Sequence, residues 1–129
     1  MQPEDADTPG KIAFEVRDGY LFVRVSGSIE PDPIRAGLTA IREQAQKAGL
    51  TRILVNALGL CAPRAEIHRF MAGEAIAEIL PYPFKTAVLC KPEMINKFAE
   101  TTAVNRGAQL LICGDEGQAL GWLLGSTTP

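Results

Sequence analysis

From Lys11 onward the apolar positions first alternate and later recur every three or four residues, and this change of period divides the chain into strands and helices. Ile12, Phe14 and Val16 fall on one face and Glu15 and Arg17 on the other, which predicts an edge strand with the apolar face inward and the other wet. Tyr20-Leu-Phe22-Val-Arg-Val25 predicts a second strand, and Asp18-Gly19 between the two supplies the positive φ angles of a tight hairpin turn. Beyond Gly27-Ser-Ile-Glu-Pro31, Asp32 is placed as an N-cap and Pro33 as the first helical residue. Ile34, Leu38, Ile41 and Ala45 then form one apolar stripe of a helix that runs to Ala48 and is stopped by Gly49.

Arg52-Ile-Leu-Val-Asn56 is a short apolar run of the kind a central parallel strand needs, and residues 57–63 are expected to form the loop beyond it. A second helix is expected over residues 64–80, carrying Ile67, Phe70, Met71, Ile76, Ile79 and Leu80, and Pro81-Tyr-Pro83 ends it. Phe84 to Cys90 reads as the next strand. Pro92 opens a third helix with Ile95, Phe98, Ala99, Thr102 and Ala103 inward, closed by Gly107. Gln109 to Cys113 reads as the last strand, and Asp115 with Gln118 three residues on makes a capping box for a final helix bearing Ala119, Leu120, Trp122 and Leu123. The expected order is ββαβαβαβα: an N-terminal antiparallel hairpin, then parallel strands, in an α/β fold whose mixed sheet is packed with four helices. One domain over residues 11–125 is implied, with a disordered leader at 1–10 and a tail at 126–129.

Composition narrows the function more than it defines it. Thirteen Lys plus Arg against fifteen Asp plus Glu gives a net charge of -2, so the chain carries no electrostatic footprint for nucleic acid. The acidic start lacks the basic, then apolar, pattern of a signal peptide, and no apolar run approaches the roughly 18 residues of a membrane span. Three cysteines, Cys61, Cys90 and Cys113, leave at least one unpaired and read as free thiols in a reducing, cytoplasmic setting.

The order of elements resembles that of the STAS-like, or SpoIIAA-like, group of small α/β domains. The most specific part is Asn105-Arg106-Gly107, the strand to Cys113, Asp115, and Ala119-Leu120-x-Trp122-Leu123. The resemblance covers about residues 11–124 and implies a non-enzymatic regulatory module that docks a protein partner or a second copy of itself, with no cofactor. In that group the loop after the central strand carries a regulatory serine in an Asp-Ser-Ser/Ala-Gly pattern and docks the partner kinase. The corresponding stretch here is Asn56-Ala-Leu-Gly-Leu-Cys61-Ala-Pro-Arg64-Ala-Glu66, and no serine or threonine lies between Thr51 and Thr86. A phosphoryl switch of that type has no hydroxyl to act on here. STAS-like domains are also compared with lipid-carrying SEC14 domains, which raises the alternative of a carrier or sensor for a small apolar ligand.

Candidate chemistry gathers where loops leave the carboxyl ends of parallel strands. Cys61, in a loop before a helix, is the one cysteine placed to be activated by a helix N-terminus, yet its only histidine, His68, is seven residues on and out of phase with the apolar stripe. Cys61 therefore reads as a small loop residue and His68 as a surface residue, and no catalytic set is assigned. The cysteines lack any C-x-x-C spacing for a metal, although Cys90 and Cys113 end strands that could bring two thiols together. No glycine pattern signals nucleotide binding. Arg64 beside a helix N-terminus could meet an anion, Arg69 reads as solvated, and Arg106 as part of a helix terminator. The small side chains Ala72, Gly73, Ala75 and Ala77 make the second helix either a closely packed element or a docking face. The residues expected to bind a partner or ligand are Leu58, Leu60, Cys61, Arg64, Glu66 and Met71, with Leu58, Leu60 and Met71 giving apolar contact and Arg64 and Glu66 setting register.

Overall fold

The computed structural model describes residues 11–27, 31–60, 66–91 and 97–124. Within them the chain runs β1 (Lys11–Arg17), β2 (Tyr20–Gly27), α1 (Pro31–Ala48), β3 (Arg52–Leu60), α2 (Glu66–Ile79), β4 (Lys85–Leu89), α3 (Lys97–Asn105), β5 (Gln109–Cys113) and α4 (Glu116–Leu124). The five strands form one sheet in the order β1-β2-β3-β4-β5, antiparallel between β1 and β2 and parallel from there on. This is the mixed α/β arrangement that the residue pattern implies.

Each new parallel strand is added on the same side of the one before it. Right-handed crossovers that always advance in one direction deliver their helices to one face. α1, α2 and α3 accordingly pack side by side on that face, leaving α4 to lie over β3, β4 and β5 on the other. Strand alternation then divides the interior in two. Leu21, Val23, Ile53, Val55, Ala57, Leu110 and Ile112 point toward the three helices, where Ile41, Ala45, Ala77 and Ala103 meet them. Tyr20, Phe22, Leu54, Ala87, Leu89 and Cys113 point the other way and pack against Ala119 and Leu123 of α4. α4 is tied down at both ends. At its start Gln118 N–H donates to Asp115 Oδ2 at 2.7 Å, the expected N-cap, and near its end the Lys85 ammonium donates to the Trp122 carbonyl at 2.7 Å while lying 4.6 Å from the indole centroid.

Both expected glycine stops are present. Gly49 (φ 71°) and Gly107 (φ 100°) take left-handed conformations. Leu50 N–H donates to Ala45 O at 2.8 Å and Ala108 N–H to Ala103 O at 3.0 Å, with Gly49 and Gly107 donating to Gln46 O and Val104 O. These are the paired bonds of a Schellman motif, so Asn105-Arg106-Gly107 is a helix terminator.

Four expectations need correction. Only Gly19 (φ 87°) of the hairpin pair has a positive φ, and Asp18 does not. α1 begins at Pro31, so Asp32 lies inside the helix rather than capping it. Val16 shares its side of β1 with Ile12 and Phe14 but is 63% exposed, because that end of the strand extends past the cover that reaches Ile12 and Phe14. The largest correction is at β3, which runs to Leu60 instead of ending at Asn56. β2 extends to Gly27 and gives β3 something to pair with, through an irregularity between Arg24 and Ser26, as far as Ser26↔Gly59 and Gly27↔Leu60. Gly59 is thus a close-approach residue of the sheet, where a Cβ would stand 3.0 Å from Ser26 Cβ. The expected starts of the second helix at Arg64 and of the third at Pro92 lie outside the described residues, as do the leader and the tail.

Candidate functional site

The extension of β3 moves the candidate site. Ala57, Leu58, Gly59 and Leu60, expected in a loop, are strand, and the connection to α2 is only residues 61–65. Alternation along β3 sends Ala57 into the three-helix core, and Leu58 falls where β3 carries one residue more than β2, between Asn56 and Gly59. α4 does not reach it. Its start is fixed at the carboxyl end of β5 by Asp115, and its last residue, Leu124, lies near Gly19 at the start of β2. The helix therefore crosses the sheet diagonally, away from the carboxyl end of β2 and β3. Arg24 and Leu58 are exposed there and Asn56 is half-buried, with Leu58 40% accessible. The Leu58 N–H donates to Asn56 Oδ1 at 3.1 Å, a local turn-like bond at the strand's end.

Of the other expected binding residues, Cys61 and Arg64 lie outside the described residues. Leu60 ends β3, Glu66 begins α2 and Met71 lies within it, and their side chains also lie outside the described part, as do those of His68 and Arg69. Leu58 alone among the expected set has a described side chain, and it is exposed.

Cys90 and Cys113 are adjacent without forming a site. The Cys90 N–H donates to the Cys113 carbonyl at 3.0 Å, yet the two thiols belong to opposite faces: Cys90 packs with the three-helix core and Cys113 with the α4 core. Both are buried and unbridged, and Cys113 Sγ is directed at Asp115 O at 3.6 Å. Adjacent parallel strands brought them together, and a one-residue offset separated their side chains. Among the described residues no cluster of three or more His, Cys, Asp or Glu is placed to hold a metal ion.

α2 resolves toward close packing over its described half. Gly73, Ala75 and Ala77 are buried where α1 and α3 flank the helix, and Leu80 is fully buried below them. Small residues there let three helices lie side by side. Outside this layer is a shallow cleft of 360 Å³ lined by Arg35, Glu74, Ala77, Glu78 and Arg106. Arg35 bonds Glu78, and Arg106 bonds Glu74 at 3.0 Å, so the four charges neutralise each other in pairs across α1, α2 and the end of α3. The residue pattern held a signal for this in Glu74 and Glu78, one helical turn apart and facing two arginines. At the opposite side of the molecule the Arg17 guanidinium lies 3.8 Å from the Phe22 centroid and bonds Glu15 at 3.3 Å. Its hydrogen bond to Glu15, then that to Tyr20, raises its pKa above the usual arginine value.

This architecture is a SpoIIAA-like fold, in which one sheet carries three helices on one face and a short fourth helix on the other. The solved structures of like fold include an anti-sigma factor antagonist from Mycobacterium paratuberculosis, with a TM-score of 0.62 at 14% identity over 96% of this chain and 99% of that one. They also include an uncharacterized protein of the DUF3478 family with a SpoIIAA-like fold from Shewanella loihica PV-4, with a TM-score of 0.54 at 20% identity over 88% of this chain and 93% of that one. No protein-family model matches the sequence, and no curated protein matches it either. Among the described residues no helix is long and apolar enough to cross a membrane.

Proposed function

We propose that this protein is a non-enzymatic binding module that docks a protein partner through the carboxyl end of β3, the connection at 61–65 and the start of α2. The observation that carries the reading is Leu58, a large apolar side chain exposed beside that connection near the end of β3. Loops leaving the carboxyl ends of parallel strands are where open α/β sheets engage partners. An apolar anchor with a polar surround is the usual anatomy of a contact, and here Leu58, Leu60 and Met71 serve as anchor with Arg64 and Glu66 fixing register. The likeness to an anti-sigma factor antagonist, a protein named for opposing another protein, is in keeping with this role. With no serine or threonine between Thr51 and Thr86, the contact is not governed by a phosphoserine or phosphothreonine on that stretch.

The test is site-specific photo-crosslinking from position 58 in a host lysate, with position 104, also exposed, as the control surface. One discrete adduct from 58, absent from 104 and suppressed by excess unlabelled protein but not by excess Leu58→Asp, is the expected result. Equal labelling from both positions, or competition by Leu58→Asp as strong as by the parent, overturns it. Native mass spectrometry of the same protein separates the alternative, since a bound mass of a few hundred daltons identifies a ligand carrier instead.

A further inference from the structure

β2 and β3 run in register as far as Arg24↔Asn56 and meet again at Ser26↔Gly59, so Ala57 and Leu58 stand against Val25 alone. An extra residue of this kind loses its regular ladder partner, and the backbone around it is open to more than one path. Here the path is closed from both sides. Toward the amino end the Leu58 N–H donates to Asn56 Oδ1 at 3.1 Å, a bond across two residues that ties the backbone to the Asn56 side chain. Toward the carboxyl end Gly59 lies against β2, where a Cβ would stand 3.0 Å from Ser26 Cβ and 3.5 Å from Val25 O. Asn56 is a firm base for this bond. It is half-buried and is the last residue of β3 in register with a strand on each flank, Arg24 on one and Leu89 on the other. Beyond it β3 has β2 alone, and the exposed Leu58 lies in that less supported stretch.

We infer that Asn56 is a positioning residue of the docking surface: its carboxamide oxygen holds the bulged backbone so that Leu58 is presented outward in one conformation before a partner arrives. The inference rests on the proposed docking through Leu58 and adds the residue that governs how the anchor is held. An anchor already fixed in its bound conformation is spared the ordering cost that association otherwise carries. A neutral hydrogen bond of this kind shifts a local equilibrium by roughly two- to twelvefold, and the affinity gained by holding Leu58 is of that order. The role needs an acceptor and nothing more, since the donor is the Leu58 N–H. Asn56→Asp keeps an oxygen at the same position, and its added charge stands opposite Arg24 in register. Asn56→Ala removes the acceptor. The neighbouring core side chains Val55 and Ala57 belong to the three-helix face, away from Asn56, so the fold itself is expected to tolerate both changes.

The test reads the bond and the binding separately in the full chain. Residue-resolved amide exchange follows the Leu58 N–H, which is expected to exchange at similar rates in the parent and Asn56→Asp and roughly two- to twelvefold faster in Asn56→Ala. Binding is read by competition against the photo-crosslinked adduct formed from position 58 in a host lysate. Unlabelled Asn56→Ala is expected to need at least about threefold more protein than the parent to halve the adduct, whereas Asn56→Asp competes like the parent. Circular dichroism and the urea midpoint of each variant separate this rescue by Asp from a general loss of fold. Equal competition by Asn56→Ala and the parent overturns the inference and leaves the docking reading standing. A Leu58 amide that exchanges alike in all three proteins overturns it as well, because the bond then does not hold the strand. Absence of any adduct from position 58 overturns the docking reading and the positioning role with it. Should Asn56→Ala fail to fold, Asn56→Leu, nearly the same size and without an acceptor, is judged by the same criteria.

Discussion

Thr86 gives the sharpest test of how this interior is held together. It sits in β4 between Ile53 of β3 and Leu110 of β5, 1% exposed, and its Oγ1 has no hydrogen-bond partner among the described residues. A β-branched side chain suits a central strand, but the hydroxyl is a cost: burying one unpaired forfeits about 1–3 kcal/mol. Thr86→Val keeps the branch and replaces the hydroxyl with a methyl, which adds up to about 0.8 kcal/mol of apolar burial. Some of the gain is lost because a methyl is bulkier than a hydroxyl in a close-packed site. The expected net effect is a stabilisation of about 1–2 kcal/mol, or roughly 4–7 °C in Tm for a chain of this size. Urea unfolding followed by circular dichroism measures it, and the m-value should not change, since the same surface is exposed on unfolding. Thr86→Ser, which keeps the hydroxyl and deletes the methyl, should lose about 1 kcal/mol. A loss of 1 kcal/mol or more in Thr86→Val would refute the reasoning, because it would mean that the hydroxyl makes a bond in solution worth more than the methyl replacing it.

The remaining stability predictions concern the ends of helices. Gly107→Ala forces a Cβ into a left-handed conformation at φ 100° with no neighbour within 4 Å, so backbone strain alone should cost about 1–2 kcal/mol, read as a lower urea midpoint. Lys85→Met removes the ammonium from the Trp122 carbonyl and ring while keeping most of its stem. It should destabilise the protein by about 1–2 kcal/mol and alter the fluorescence of the chain's one tryptophan. A change in stability without a change in fluorescence would contradict the contact.

The fold was legible wherever period and punctuation agreed. Leu38, Ile41 and Ala45 lie inward on α1 as their spacing requires, Gly49 and Gly107 close Schellman motifs, and Asp115 caps α4. Element boundaries failed where a partner strand decided the outcome. Ala57-Leu-Gly59 has the composition of a loop, and only the length of β2 beside it makes it strand, because pairing supplies hydrogen bonds that local preference cannot anticipate. The same applies to chemistry. The proximity of Cys90 and Cys113 followed from their places at the ends of successive strands, but their separation onto opposite faces required a register that the residue pattern does not specify. The exposure of Leu58 was anticipated with the wrong backbone, as a loop residue rather than as one in a strand.

The exposure of Leu58 has an origin in topology. Three crossovers in one direction commit α1, α2 and α3 to one face, and α4, with nine residues, runs on the other from the carboxyl end of β5 to the start of β2. The carboxyl end of β3 therefore lies away from that helix, and there β3 carries one residue more than β2 between Asn56 and Gly59, where Leu58 is 40% exposed. Leu58→Asp should abolish partner binding while leaving stability in urea within about 0.5 kcal/mol of the parent, because an exposed side chain away from the core contributes little to folding. If Leu58→Asp lowers stability by more than that, the residue packs within the domain and the docking reading is wrong.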